Sequence, residues 1–326
     1  MTKRRFPAVL LVSMLACFLP VWAQNISAER AVLARAAVLH ISPDASSEKL
    51  VTAERGREAV VMEHSHGWAH VVVTLPPVNP EPQVLEEEPE PRTLSGWVLD
   101  KGLISASTPN GDQILFGEAV DSENEASRSG GRRGAASDAR RLYARVAEYF
   151  PNSPLAGESL YRAADVQWQL DQAERRSRPS ARARDPRDRV PVPEDEMKKV
   201  EKKFAHTKWA DLAAWRLLEN RLCGDWAAES KCPEKEAEIY EKYAQEHPDS
   251  PTAAEALYDV AYRYGALIEL YKMEGQSKKS EEAQQKAISA AQRALGKNPP
   301  VDWATRAQRL LYMLQKQMPV YGSAVE

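Results

Sequence analysis

Two stretches of this chain repeat each other at a constant offset of 97 positions. Tyr143, Ala147, Pro151, Ser153, Pro154, Ala156, Glu158, Leu160, Tyr161 and Ala164 recur as Tyr240, Ala244, Pro248, Ser250, Pro251, Ala253, Glu255, Leu257, Tyr258 and Ala261. Repetition this dense requires one supersecondary unit used more than once, stacked so that neighbours cover each other's apolar faces. Each unit predicts a helix that ends before a proline unable to continue the backbone ladder. A second helix then opens at Ser-Pro, with serine as N-cap and proline in the first turn. Ala156, Leu160, Ala163 and Ala164 form a small-residue face for close helix packing.

A weaker copy lies between the two. Phe204, Trp209, Ala210 and Trp215 follow Phe150, Leu155, Ala156 and Tyr161 at an offset of 54. A partial unit after Asn298-Pro299-Pro300 places Ala304, Ala307, Leu310, Leu311 and Leu314 on one stripe. The helix–Pro-x-Ser-Pro–helix pattern over residues 136–318 resembles the tetratricopeptide repeats (TPR) of bacterial envelope proteins, and it implies a TPR-like all-α helical solenoid. Residues 106–135 read as a linker that includes a first helix over 112–126.

Before the helical period, residues 28–105 carry short β-branched runs at Val32–Leu39, Leu50–Thr52, Ala59–Met62, Ala69–Thr74 and Gly96–Leu99. Ala37-Val38-Leu39-His40 with Pro43, Gly56, Gly67-Trp68-Ala69-His70-Val71 and Gly96-Trp97-Val98 resemble a bacterial SH3 domain (SH3b). That resemblance implies a small all-β SH3-like barrel, with Trp97 as a buried aromatic that closes it. His40-Ile41-Ser42 departs from the family's Arg-Ser-Gly. Residues 75–94 form an acidic, proline-rich insertion whose composition cannot bury an apolar face. It is either an inert loop or an arm for a basic partner. The fold class expected for the whole chain is therefore multidomain, all-β then all-α.

Residues 1–23 predict a secretory signal peptide. Lys3, Arg4 and Arg5 precede an apolar stretch and a Val21-Trp22-Ala23 cleavage site. Met14-Leu15-Ala16-Cys17 is a degenerate lipobox, and its use would give a lipoprotein anchored at Cys17 instead. The apolar stretch is too short for a stable membrane span. Loss of the leader shifts the net charge from −3 to −6 by removing Lys3, Arg4 and Arg5, which argues against nucleic acid as a partner. Cys223 and Cys232 remain, an even number in an oxidising compartment, and are expected to form a disulfide across one inter-helix loop. The expected location is the periplasm or cell envelope.

Chemistry is sparse. His64, His66 and His70 flank a predicted turn without thiolate or carboxylate to complete a metal site, so no metal and no cofactor is assigned. Ser46-Ser47-Glu48-Lys49 has Ser-x-x-Lys spacing without its companion motifs. No Gly-x-Ser-x-Gly, phosphate loop or His-Glu-x-x-His occurs. No catalytic residue is assigned.

The sequence thus predicts a non-catalytic adaptor. Its helical array would hold an envelope protein segment, and its barrel a peptidoglycan peptide or a protein. A cell-wall hydrolase-associated enzyme or regulatory subunit is the alternative. The candidate ligand-binding residues are Trp68, Trp97 and His66 on the barrel, and Tyr161, Trp168, Trp215, Tyr258 and Tyr262 on the repeats. An Arg/Pro-rich loop over 172–193 is either solvated or a contact for anionic partners.

Overall fold

The computed structural model describes residues 29–76, 91–179, 189–223, 226 and 228–320. The predicted leader, most of the acidic insertion and the centre of the Arg/Pro-rich loop lie outside the described residues.

An antiparallel sheet comes first. Its strands are β1 (Glu29–Leu33), β2 (Ala37–His40), β3 (Lys49–Ala53), β4 (Glu58–Ser65), β5 (Trp68–Leu75), β6 (Arg92–Leu99) and β7 (Leu103–Ser105), in the order β3-β2-β6-β5-β4-β1-β7. Alternation along β5 sends Ala69, Val71, Val73 and Leu75 inward and leaves Trp68, His70 and Val72 on the other face. The inner residues of β1 to β6 meet in one apolar cluster. His66 (φ 49°) and Gly67 (φ 82°) turn β4 into β5, the positive-φ pair of a type I′ hairpin.

The run Val32–Leu39 that reads as one strand is two. The chain bends at residues 34–36, so β1 pairs with β4 and β7 while β2 pairs with β3. No glycine or proline marks that corner. Only the different pairing partners of its two halves reveal it.

The helices follow: α1 (Gly111–Ser127), α2 (Ala135–Tyr149), α3 (Ala156–Ser177), α4 (Asp195–Lys203), α5 (Lys208–Leu217), α6 (Lys231–Glu246), α7 (Ala253–Met273), α8 (Ser277–Gly296) and α9 (Val301–Gln315). The two sequence copies are the hairpins α2–α3 and α6–α7. Ser153 Oγ accepts the Leu155 amide at 3.1 Å and Ser250 Oγ the Thr252 amide at 3.2 Å. The serines thus hold the turn before each helix rather than its N-cap: regular helix begins at Ala156 and Ala253, and the cap positions fall to Leu155 and Thr252, which make no side-chain cap bond. The first turn is tightened by bonds from the Ala156 amide to the Ser153 carbonyl and from the Ala253 amide to the Ser250 carbonyl.

Little free linker separates sheet from helices. Residues 106–110 turn directly into α1, whose Leu115 and Ala119 share a cluster with Val32, Ala34 and Ile104 of the sheet and Leu142, Tyr143 and Val146 of α2. Around this apolar contact, Arg141 Nε donates to the Arg55 carbonyl (3.0 Å) and Arg145 Nε to the Gly56 carbonyl (3.4 Å). Arg145 also pairs with Glu58 at 3.1 Å and Arg30 with Glu148 at 2.9 Å. Gly56, at φ 73°, lies so close to α2 that a Cβ there would sit 2.7 Å from Arg141 Cβ. Buried apolar area and a charged rim together join the two halves into one packed body.

The Arg/Pro-rich loop is also narrower than the sequence suggests. Its start continues α3 to Ser177, and at its end Val192 is buried, its amide and carbonyl both bonded to the Asn220 side chain. Among the described residues, no helix is long and apolar enough to cross a membrane.

Candidate binding groove and aromatic row

A concavity of about 790 Å³ lies where the sheet meets α1. Its walls come from the corner between β1 and β2 (Ala34–Val38), from His40, Trp68 and Leu99 on the sheet, from Lys101 and Gly102 after β6, and from Ile114 and Glu118 on α1. Beside it the sheet is thinly paired. The register pairing of β2 with β6 consists of the single pair His40–Trp97.

Trp68 stands half-buried in this wall, with the buried His40 ring edge-on to it at 5.3 Å between centroids. His40 is fixed from behind, its Nδ1 3.2 Å from the Ser47 carbonyl. Leu99 (61% exposed) and Ile114 (41%) leave apolar surface open at the mouth. The charged rim is unequal. Glu118 is engaged by Arg35 at 2.6 Å and Arg55 at 3.3 Å, while Lys101 has no ion pair among the described residues.

Trp97 differs from expectation. Its neighbours Gly96 and Val98 point into the core, so strand alternation sends Trp97 to the opposite face, half-buried and stacked on His70 at 5.0 Å. It does not close the apolar core. His66 is exposed at the hairpin tip. His64 faces Asp100 at 3.2 Å, and His70 faces Ser95 Oγ at 2.8 Å and Glu63 at 3.5 Å. The three histidines thus take separate neighbours, and no cluster of metal-binding side chains occurs among the described residues.

On the helices, the predicted aromatic residues occupy seams between hairpins. Tyr161 of α3 stacks on Trp209 of α5 (5.9 Å), and Trp215 of α5 packs against Tyr240 and Tyr243 of α6 (5.5 and 5.1 Å). Tyr258 of α7 lies against Trp303 of α9 (5.3 Å) and stacks on Tyr262 (6.5 Å), which in turn meets Trp226. Trp168 is a core residue, 2% exposed, donating through Nε1 to Glu219 at 3.2 Å. It is placed to pack rather than to touch a ligand.

Charged groups thread this row, and the spacing of aromatic residues alone gave no sign of them. Arg216 bridges Asp165 on α3 (2.6 Å) and Glu219 (2.7 Å). Glu236, 3% exposed, accepts from Arg263 (3.1 Å), from the Cys223 amide (2.8 Å) and from Trp226 Nε1 (3.3 Å). Arg263 also pairs with Asp259. Burial pushes the Asp259 carboxyl up to about 6 against the pull of Arg263. Burial, then the neighbouring Asp259, push Glu255 up to about 7, opposed by Arg306 and Arg216. Tyr161 is raised to about 12, chiefly by burial and then by Asp165.

Cys223 and Cys232 form a disulfide with Cα atoms 6.0 Å apart. It closes the segment between α5 and α6. α5 stops at Leu217, a 3-10 turn covers Leu218–Arg221, and Cys232 already lies in the first turn of α6.

The groove residues Leu99, Lys101, Ile114 and Glu118 carry no motif in the sequence. They come from β6, the turn after it and α1, and only the docking of α1 on the sheet brings them together. Compared with protein-family models and with curated proteins, the chain matches none.

Proposed function

We propose that this chain is an exported, non-catalytic binding protein of the bacterial cell envelope. In this reading an SH3-like barrel and a TPR-like solenoid are held as one body. The solenoid carries a protein segment, and the barrel takes a peptidoglycan peptide or a second protein. The observation that supports it is the repeated construction of α2–α3 and α6–α7. Each hairpin turns at Pro-x-Ser-Pro and places Tyr161 or Tyr258 at the same station of its second helix, half-buried beside charged groups. Rows of this kind on stacked hairpins suit extended peptide contacts, because rigid aromatic rings contribute area at little entropic cost. The disulfide is consistent with an oxidising compartment.

Photo-crosslinking tests the reading. A photoreactive phenylalanine analogue at position 161 or 258 in native envelopes should trap discrete protein species, identified by mass spectrometry. The same analogue at exposed Glu238, outside the row, should not trap them. Identical products from all three positions would refute a binding role for the row.

A further inference from the structure

We propose that the groove between the sheet and α1 receives the acidic, proline-rich segment 77–90 of a second copy of this chain. The inference goes beyond the adaptor reading and does not depend on it.

Three observations meet at the groove. First, its lining runs from the corner between β1 and β2 past Trp68 and Leu99 to Ile114 of α1, so two different elements face each other across it. A groove between a sheet and a helix suits an extended backbone, the conformation that closely spaced prolines favour. Second, its surface pairs an aromatic wall with exposed aliphatic groups at Leu99 and Ile114. An indole face beside aliphatic side chains suits proline rings and small apolar residues.

Third, the rim is cationic. Arg35 and Lys101 stand at it, and among the described lining residues the one acid, Glu118, is already held by Arg35 and Arg55. Segment 77–90 has the complementary chemistry, with Pro80, Pro82 and Pro89 among Glu81, Glu86, Glu87, Glu88 and Glu90.

Reach decides between the chain's own segment and a neighbour's. The segment leaves at the Leu75–Arg92 end of the β5–β6 pair, whereas the groove begins at the Trp68–Leu99 end. At about 3.4 Å per residue, the eight-residue strand β5 separates the two by about 24 Å. Half of the segment, fully extended, covers about 25 Å. In its own molecule only the tip arrives, and nothing remains to lie along the groove. A second copy has no such limit, and two copies can exchange segments reciprocally.

The experiment uses the mature chain and a variant in which 77–90 is replaced by an equally long Gly-Ser sequence. Sedimentation velocity from about 1 to 200 μM should show concentration-dependent self-association of the first and a monomer for the second. A synthetic peptide of residues 77–91 should bind the replaced variant, with a change in Trp fluorescence. Lys101→Glu should weaken that binding at least about tenfold, and Leu99→Ser should weaken it as well. Both residues are exposed, and an unchanged melting temperature shows that each variant is folded. A monomeric wild-type chain at every concentration would overturn the proposal. So would a peptide that fails to bind, or a scrambled peptide of the same composition that binds equally well.

Discussion

Replacement of Gly56 by alanine tests the joint between sheet and helices. Gly56 combines φ 73° with a position against α2, where a Cβ would lie 2.7 Å from Arg141 Cβ and 3.0 Å from the Leu142 amide nitrogen. The left-handed backbone costs a non-glycine residue about 1–2 kcal/mol. Forcing a methyl group into a filled contact adds about 1–3 kcal/mol. The lower conformational entropy of the unfolded alanine chain offsets about 0.4–1 kcal/mol of this, so the net loss falls at about 1–4.5 kcal/mol.

Gly67→Ala supplies the control. Gly67 has φ 82° but no atom within 4 Å of its would-be Cβ, so it carries the backbone cost alone. Urea denaturation followed by far-UV circular dichroism and Trp fluorescence gives both losses. Gly56→Ala should exceed Gly67→Ala by at least about 1 kcal/mol, the low end of the packing cost. If the methyl group is accommodated by parting the sheet from α2, the bonds from Arg141 and Arg145 to the 55–56 backbone are lost together. The two halves should then unfold in separate transitions. Equal losses for the two variants, with one shared transition retained, would refute the claim that Gly56 marks a close-packed joint.

Reduction of the Cys223–Cys232 bridge, or Cys232→Ser, should cost about 2–3 kcal/mol from the short loop it closes; free-thiol titration of the denatured, unreduced protein should find no reactive thiol from this pair. Glu255→Gln should stabilise the protein at pH 8 by about 1–2 kcal/mol, after discounting for partial exposure, and have little effect at pH 4.5. The sign follows from the direction of the shift. A carboxyl raised to about 7 keeps its proton longer in the folded chain, so stability declines as pH rises from the ordinary carboxylate range toward 7. Denaturant midpoints at the two pH values check this. Trp168→Ala should cost about 3–5 kcal/mol as a fully buried aromatic, whereas Trp97→Ala should cost about half as much, because Trp97 is only half-buried. Melting curves of the two variants in parallel should give that order.

The residue pattern alone was enough to place the β region before the α region and to pair the two cysteines. Strand alternation and helical period are local properties, set by side chains two, three or four positions apart. The Pro-x-Ser-Pro corners were equally legible, since a proline ends one helix and a serine holds the following turn through a bond two residues on, although the helix itself starts later than the serine. Trp97 was not. Its burial depends on which face of β6 turns inward, and a one-residue change of register inverts that face.

The groove and the joint are products of contacts between residues far apart in the chain. Gly56 meets Arg141, Glu118 meets Arg35 and Arg55, and Trp68 shares a wall with Ile114. No periodicity links such pairs. They are brought together by burial of Leu115 and Ala119 of α1 against both the sheet and α2, a long-range packing choice that places an unremarked lysine and leucine around an open aromatic wall. Local rules act along the backbone and can be read from neighbouring residues. A concave surface depends on how finished elements dock, and that is settled by shape and buried area across the whole molecule.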